Sequence, residues 1–522
     1  MKKIKKLPLV ISPLFALSLT GCFTFKPGGS SVNSSSNNSS EESSTPTSYS
    51  EPTTQPEEAA LKNSPEYLNF WNPNTEISLS ITMSSEAALF MNNYQTNHND
   101  STYMDYYVPC NVTFTINGNP LTLEEVGIRV KGNLSRQQFL SGGHFNSGTL
   151  SHFKLSFKET FDGKEYTNVS QLTSFKKTWE SDALKTERKN RTLFDMEKID
   201  IKWNRNDDQT NSKQAYAYKI FRENGVMASH DTLARTSLAV NGDTPITATY
   251  EVLECIDKVF VKRYFSAEKA DGDLYKCTYT SAPANFSPSY TVGQEIGVED
   301  NVAGFHPAYD LKTNKKKNTT HTSLLNLMGV MNNNSLSASE FKTQIEQVMD
   351  INSFLMYESI AYLMGNYDDF RNNMNNYYLY ITSSTSIAYI IPYDFDRCLG
   401  AGCDGIQDYM TNFSPESTKM QCSHNWQATN IFWRTVCKSS DSASGHHNVE
   451  QVESYRAQYQ KNIEDLLNNG SVSPSSFTSY VNAFPSSVRG NPNGSGYNNT
   501  TFSNYFNKKV TIIKQYYNGV NI

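Results

Sequence analysis

GNYDDFRNNMNNYYLY (365–380), followed after a short turn by IAYIIPYDFDRCLG (387–400), is the stretch on which the fold turns. The runs NNYYLYIT (375–382) and IAYIIPYDFD (387–396) read as the two strands of a hairpin, bounded by turn residues. A helix ends just before it and delivers Asp368 and Asp369 into an Asn-rich loop, while Asp394 and Asp396 fall just past the second, buried strand. Working outward, Ser323–Met331 and Ser337–Met349 have the period of short helices. Ile351–Met364 carries Phe354, Leu355, Ile360 and Leu363 on a face about 100° wide. Helical pattern resumes at 448–467 and 500–517, so residues 321–522 read as a mainly helical region interrupted by one hairpin. Towards the N-terminus the period changes. EISLSITM (76–83), NVTFTIN (111–117), VGIRVKGN (126–133) and HFKLSFK (152–158) alternate apolar and polar residues, the mark of strands with one face on a core. A helix-length segment, 207–223, is closed by Asn224-Gly225. Strands return with TSLAVNG (236–242) and TATYEVLECID (247–257), the latter apolar on both faces and therefore central. Residues 66–320 thus read as a β-rich region, and there is no internal repeat.

At 522 residues and 58.8 kDa the chain exceeds one ordinary hydrophobic core, so two domains or lobes are expected. A net charge of −6 and a pI near 5.9 remove the electrostatic reason to expect nucleic-acid binding. Only 19% of residues are charged, and polarity comes from Asn, Ser and Thr, which suits an exported protein and equally the bias of a low-charge, Asn-rich genome. Lys2, Lys3, Lys5 and Lys6 precede an apolar run, Leu7–Leu19, too short to span a bilayer, so residues 1–21 read as a signal peptide. That run ends in Leu19-Thr20-Gly21-Cys22, which resembles the bacterial lipobox, whose cysteine is acylated after cleavage. Cys22 is accordingly the expected lipid anchor, and residues 22–65, rich in Ser, Thr, Asn, Pro and Glu, a disordered tether. Seven cysteines remain. The spacing of Cys398, Cys403, Cys422 and Cys437 is not that of a zinc ribbon, and this quartet holds either a disulfide or buried thiols.

Hard oxygen ligands on a loop beside a hairpin suit Mg²⁺ bound to a nucleotide phosphate, because Mg²⁺ favours a few carboxylates plus phosphate oxygens. The bland alternative is turn capping, the usual work of Asp and Asn. The nine histidines include no H-E-x-x-H; His446-His447 reads as surface. A G-x-S-x-G nucleophile elbow is missing too.

These residues, taken with RVKGNLSR (129–136), HFKLSFK (152–158), YEVLECID (250–257), GDLYK (272–276) and IPYDFD (391–396), resemble the spore coat protein H (CotH) kinase family in order and spacing over most of residues 75–480. The resemblance implies an α+β, two-lobed protein-kinase-like fold with a β-rich N-terminal lobe and a mostly helical C-terminal lobe. It also implies ATP bound with Mg²⁺ or Mn²⁺ and phosphate transfer to protein Ser or Thr. Position by position, Asp368 matches the catalytic-loop aspartate and Asp394 the metal-binding aspartate, with Asp396 as second ligand; Asn373 and Asn376 are alternative metal-binding amides. Tyr393 stands where the family commonly has Trp. Arg129, Lys131 and Lys154 are candidates for phosphate contact, and Glu254 for adenine or ribose. Neither G-x-G-x-x-G nor HRD occurs, which excludes a conventional kinase.

The reading that follows is a lipid-anchored phosphotransferase on the outer face of a bacterial membrane, acting on surface proteins and not on nucleic acid. Its rival is a catalytically inactive, surface-anchored binding or structural lipoprotein of the same fold, favoured by the scarcity of ATP outside a bacterium. A carbohydrate-binding surface protein is a third reading, drawn from 31 Tyr and the Asn-rich loops.

Overall fold

In a computed structural model, the chain is described over residues 59–522 apart from 134, 205–207, 281, 301–302, 401–412, 418–428, 439–448, 496–499, 519 and 521. The signal peptide, Cys22, most of the tether, Cys403, Cys422 and His446-His447 lie outside the described residues. The sequence's alternation is realised as strands β1 (Ile77–Met83), β2 (Val108–Ile116) and β3 (Asn119–Lys131). A small hairpin, β4 (Leu140–Ser141) and β5 (His144–Phe145), precedes β6 (His152–Ser156), β7 (Lys198–Trp203), β8 (Asp231–Val240) and β9 (Ile246–Glu254). Strands β1-β2-β3-β6-β7-β9-β8 close into a barrel. Every neighbouring pair is antiparallel except the closing one, where β1 and β8 run parallel with Ser78 beside Arg235 and Met83 beside Val240. Ile77, Leu79, Ile81 and Met83 of β1 point into the barrel with Val126, Ile128, Val130, Phe153, Leu155, Ile199, Ile201 and Val252. The alternate positions face outward.

The later strands are β10 (Asp273–Cys277), β11 (Ile296–Gly297), β12 (Tyr309–Leu311), β13 (Tyr377–Ile381) and β14 (Ala388–Pro392). They form a second sheet in the order β11-β12-β10-β13-β14. One face, with Tyr275, Tyr309, Tyr377, Leu379 and Ile390, packs in the same core as the helices Lys213–Glu223 and Ile351–Met364. The other face, with Leu274, Tyr378, Tyr380 and Ile391, packs with Phe260, Val261 and Phe265. The helix Ile351–Met364 is apolar nearly all round and correspondingly buried on all sides. All described residues belong to one compact unit.

This corrects the expected two-lobed, protein-kinase-like α+β layout. The first half is a closed barrel with no free edge, because β1 finds a second partner in β8. The hairpin is not an isolated interruption of a helical lobe: β10, from before residue 320, is hydrogen-bonded to β13 from Asp273 beside Ile381 to Cys277 beside Tyr377. The boundary expected at residue 320 therefore runs between strands of one sheet.

No described helix is long and apolar enough to cross a membrane. Cys110, Cys255, Cys277 and Cys398 are buried free thiols. Cys437 is buried too.

Candidate active site

Strand register builds one wall of the site. On the outer face of the barrel, Arg129 stands beside Lys154, Lys154 beside Asp200, Asp200 beside Leu253, and Leu253 beside Asp231. In the next row Lys131 stands beside His152, and Lys202 beside Glu251. Asp200 accepts from Lys131 at 2.7 Å, and its other oxygen lies 3.1 Å from Lys154. Burial alone would raise the Asp200 carboxyl, yet the two ammonium groups outweigh it and hold the group below the usual range. His152 is pushed down to about 3 by burial and then by Lys202 and Lys131, so it is neutral and faces the Trp203 carbonyl at 3.0 Å.

The opposite wall is the pair of loops at the end of the hairpin. Gly365, at φ +62°, caps the helix Ile351–Met364, which frees the chain to turn into the loop carrying Asp368. Asp368 Oδ1 accepts from the amides of Asn373 at 2.8 Å and Asn375 at 3.1 Å, and Oδ2 from Asn376 at 2.9 Å. Since each carboxylate oxygen can accept two bonds, Oδ2 keeps one direction open. The Asp368 carboxyl is raised, first by burial and further by Asp394 and Asp396, against the lowering effect of the Asn amides. Asp369 turns the other way and caps residues 370–373 through Asn372. Its neighbour Arg371 is buried on Glu358 at 3.0 Å. The two loops are tied together by Tyr393 N–H to the Asn376 carbonyl at 3.2 Å and by the Asn366 amide to the Asp394 carbonyl at 3.3 Å. Met374, Asn376 and Asp394 all adopt left-handed backbone, at φ +51°, +50° and +57°. Asn and Asp tolerate that region well, whereas Met374 is held there by its burial.

The walls meet at Lys202. Its ammonium lies 2.6 Å from Asp394, 3.3 Å from Asp396 and 3.0 Å from the Gln214 side-chain oxygen Oε1. Gln214 in turn donates to Glu251 at 2.6 Å. Burial would raise Asp394, but Lys202 and Lys131 prevail and hold it well below the usual carboxylate range. Asp396 is raised by burial and by its neighbour Asp394 despite Lys202. Beside Lys202 opens a small cleft lined by Asn204, Asp208, Gln214, Glu251 and Asp396.

Of the residues picked out by sequence, Asp368, Asn373, Asn376, Asp394 and Asp396 come together. Lys131 and Lys154 line the facing wall, joined through Asp200. Arg129 is directed to Asp105 and lies over Tyr107 at 5.4 Å. Glu254 is inward and buried, bonded to His230 at 3.2 Å and Arg263 at 3.3 Å; the carboxylate of β9 that faces the cleft is Glu251. Lys202, Asp200, Gln214, Glu251 and Asn375 were not singled out. KIDIKW (198–203) held the signal for the first two: charges at alternate positions against Ile199 and Ile201.

Among the described residues no group of three or more His, Cys, Asp or Glu side chains could hold a metal ion alone. The donor set nevertheless fits Mg²⁺ or Mn²⁺ carried by a phosphate: two carboxylates gathered on one cation, 36% and 27% exposed, plus the amide oxygens of Asn373 and Asn376, whose nitrogens are committed to Asp368.

Paired lysines and carboxylates facing each other across a cleft are the equipment of a phosphoryl-transfer enzyme. The family model described as CotH kinase protein matches residues 155–519, and the chain belongs to that family. Membership supports a kinase-like enzyme that uses a nucleotide and a divalent metal. No curated protein matches the chain.

Proposed function

We propose that this protein transfers the terminal phosphate of metal-bound ATP to Ser or Thr hydroxyls of proteins at the outer face of a bacterial membrane, to which acylated Cys22 anchors it. The observation that carries the transfer reading is Lys202, buried between the barrel wall and both Asp394 and Asp396. Family membership supports the nucleotide and the metal; the lipobox and the Ser/Thr-rich tether support the anchor.

Asp394 and Asp396, with Asn373 or Asn376, would hold Mg²⁺ or Mn²⁺, which neutralises phosphate charge when bound. Lys202, Lys131 and Lys154 supply fixed positive charge to the phosphate oxygens, in a setting where they need little reorganisation. Asp368 accepts the acceptor hydroxyl's proton at the open direction of Oδ2. As the new O–P bond forms, the bond from the γ-phosphorus to the bridging oxygen breaks, and ADP departs with that electron pair. The Asn cage holds Asp368 with neutral amides rather than a paired side-chain cation, which favours its affinity for a proton.

The test is labelled phosphate from ATP, with Mg²⁺ or Mn²⁺, offered to the full chain and a Ser/Thr-rich acceptor protein, beside a thermal melt. A ligand at 100 times its Kd stabilises by about 2.7 kcal/mol, so the melt should rise with ATP and metal and much less with ATP and chelator. A metal-dependent rise without transfer would favour the inactive scaffold, and no rise at millimolar ATP would overturn the kinase reading. Fatty-acid labelling of the wild type against Cys22→Ala tests the anchor separately.

A further inference from the structure

Lys202 directs its three N–H donors to Asp394, Asp396 and Gln214 Oε1. Asp394 and Asp396 are also the carboxylates assigned to the metal, so their hold on Lys202 lapses once they turn to a cation, and two of its donors become free for phosphate oxygens. Gln214 is the partner that stays. Its side chain is buried in the first turn of the helix Lys213–Glu223. Because an ammonium only donates, the amide must present its oxygen to Lys202, and its nitrogen, donating to Glu251 at 2.6 Å, fixes the plane. The start of the helix is tied down on two sides. Asp208 accepts from the backbone N–H groups of Ser212 and Lys213 at 3.0 and 3.1 Å. The Lys213 ammonium donates at 3.2 Å to the carbonyl of Leu399, in the loop that continues from Asp396.

Resting on the phosphotransferase reading above, we propose that Gln214 is a positioning residue for the phosphate-binding Lys202, and that the neutrality of its amide is the property the site requires. The amide gives Lys202 an acceptor without a counter-charge, and it keeps the Glu251 carboxyl one side chain away from the ammonium. Fixed positive charge stabilises phosphate oxygens only to the extent that the protein has not already neutralised it. A carboxylate at position 214 would sit within hydrogen-bond distance of both Lys202 and Glu251. It would cancel part of the ammonium's charge and repel the acid behind it. Gln214 therefore holds the lysine in place during the exchange from carboxylates to phosphate and leaves its charge intact.

The experiment uses the full chain and ATP with Mg²⁺, in two readouts: Kd by calorimetry, and phosphate transfer to a Ser/Thr-rich protein. Gln214→Met keeps the length and removes both hydrogen bonds, so ATP affinity and kcat/KM should each fall by about tenfold. Gln214→Glu keeps the shape and an acceptor for Lys202, yet should fall at least as far; it also carries the test if Gln214→Met does not fold. Wild-type affinity in Gln214→Glu would show that neutrality is not required and overturns the proposal. Action through Lys202 is read from a double-mutant cycle. In the Lys202→Met background, Gln214→Met should change Kd by no more than about twofold. An undiminished loss in that background, or wild-type affinity in Gln214→Met, overturns the assignment while transfer by the wild type still stands. A wild type that binds ATP without transferring phosphate, with the cycle coupled, upholds Gln214 and removes the kinase reading. A wild type that neither binds nor transfers removes both.

Discussion

Two loops bring carboxylates to this site and hold them by opposite means. Asp394 and Asp396, past β14, converge on the buried ammonium of Lys202. Asp368, in the loop before β13, is surrounded only by the neutral amides of Asn373, Asn375 and Asn376. An ammonium compensates charge, so Asp394 sits below the usual range. Amides orient without compensating, so burial and two neighbouring aspartates leave Asp368 raised. The same residue type is thereby set for two tasks: one side is ready for cations, the other for a proton.

The comparison breaks most sharply at the carboxylates themselves. Asp394→Asn should lower transfer by about 10³-fold and abolish the metal-dependent part of the ATP melting shift, because charge is lost while the shape is kept. Asp368→Asn should lower kcat by about 10²-fold and leave that shift intact. Steady-state kinetics beside thermal melts would separate the two; a loss of the shift in Asp368→Asn alone would reverse the roles.

Next in size is the cation. Lys202→Met leaves two carboxylates and the Gln214 side-chain oxygen without their shared donor. Breaking a fully buried pair costs about 3–5 kcal/mol, and the partial exposure of Asp394 and Asp396 brings the expected loss nearer to about 2 kcal/mol. Mg²⁺ without nucleotide should then recover stability in the variant more than in the wild type, read from urea midpoints. Equal responses to Mg²⁺ would mean that the carboxylates do not form a cation seat.

Beyond Gln214 lies Glu251, whose carboxyl is pushed up to about 7 by burial, more than Lys202 can offset. The Asp231 carboxyl nearby is also raised, by burial and then by Glu251. A folded-state value raised above the ordinary one near 4.5 stabilises at low pH, and that contribution fades as pH climbs towards 7. Urea midpoints should therefore fall from pH 5 to pH 8 more in the wild type than in Glu251→Gln. Asp394 works in the opposite direction: its depressed value contributes stability above the ordinary value near 3.8 that is lost on further acidification. The smallest effect belongs to the amide cage. Asn375→Ala removes one donor from Asp368, which should move the acid limb of the pH–rate profile upward by up to about one unit. An unmoved limb would show that Asp368 is not the titrating group.

Local pattern made much of this visible. The runs at 76–83, 111–117, 126–133 and 152–158 became β1, β2, the end of β3 and β6, and the expected helix at 351–364 is present with those bounds. The hairpin and its four aspartates were readable because turn residues and an aromatic strand lie within forty positions. Lys202 was not, although KIDIKW alternates cleanly, because six residues with charged outward positions look like a solvated strand until the partner loop 192 residues away covers them. Glu254 shows the converse: it is three positions from Glu251 on the same strand, an odd step that places it on the opposite, inward face beside Ile199. Barrel closure was beyond reach for the same reason, since β1 and β8 carry no mutual local signal, and the kinase-like layout implied by the family resemblance specified only a β-rich lobe.

That closure also dictates when the protein can first become itself. Strand Ile77–Met83 acquires its second neighbour only when Asp231–Val240 arrives, some 150 residues later, and the entropy of drawing such a loop shut is about 4–5 kcal/mol. A nascent chain therefore displays a bare strand edge throughout the synthesis of most of its first half, open to pairing with a neighbouring chain. The mature barrel has no such edge, so its vulnerability to self-association is confined to a window of time rather than to a patch of surface.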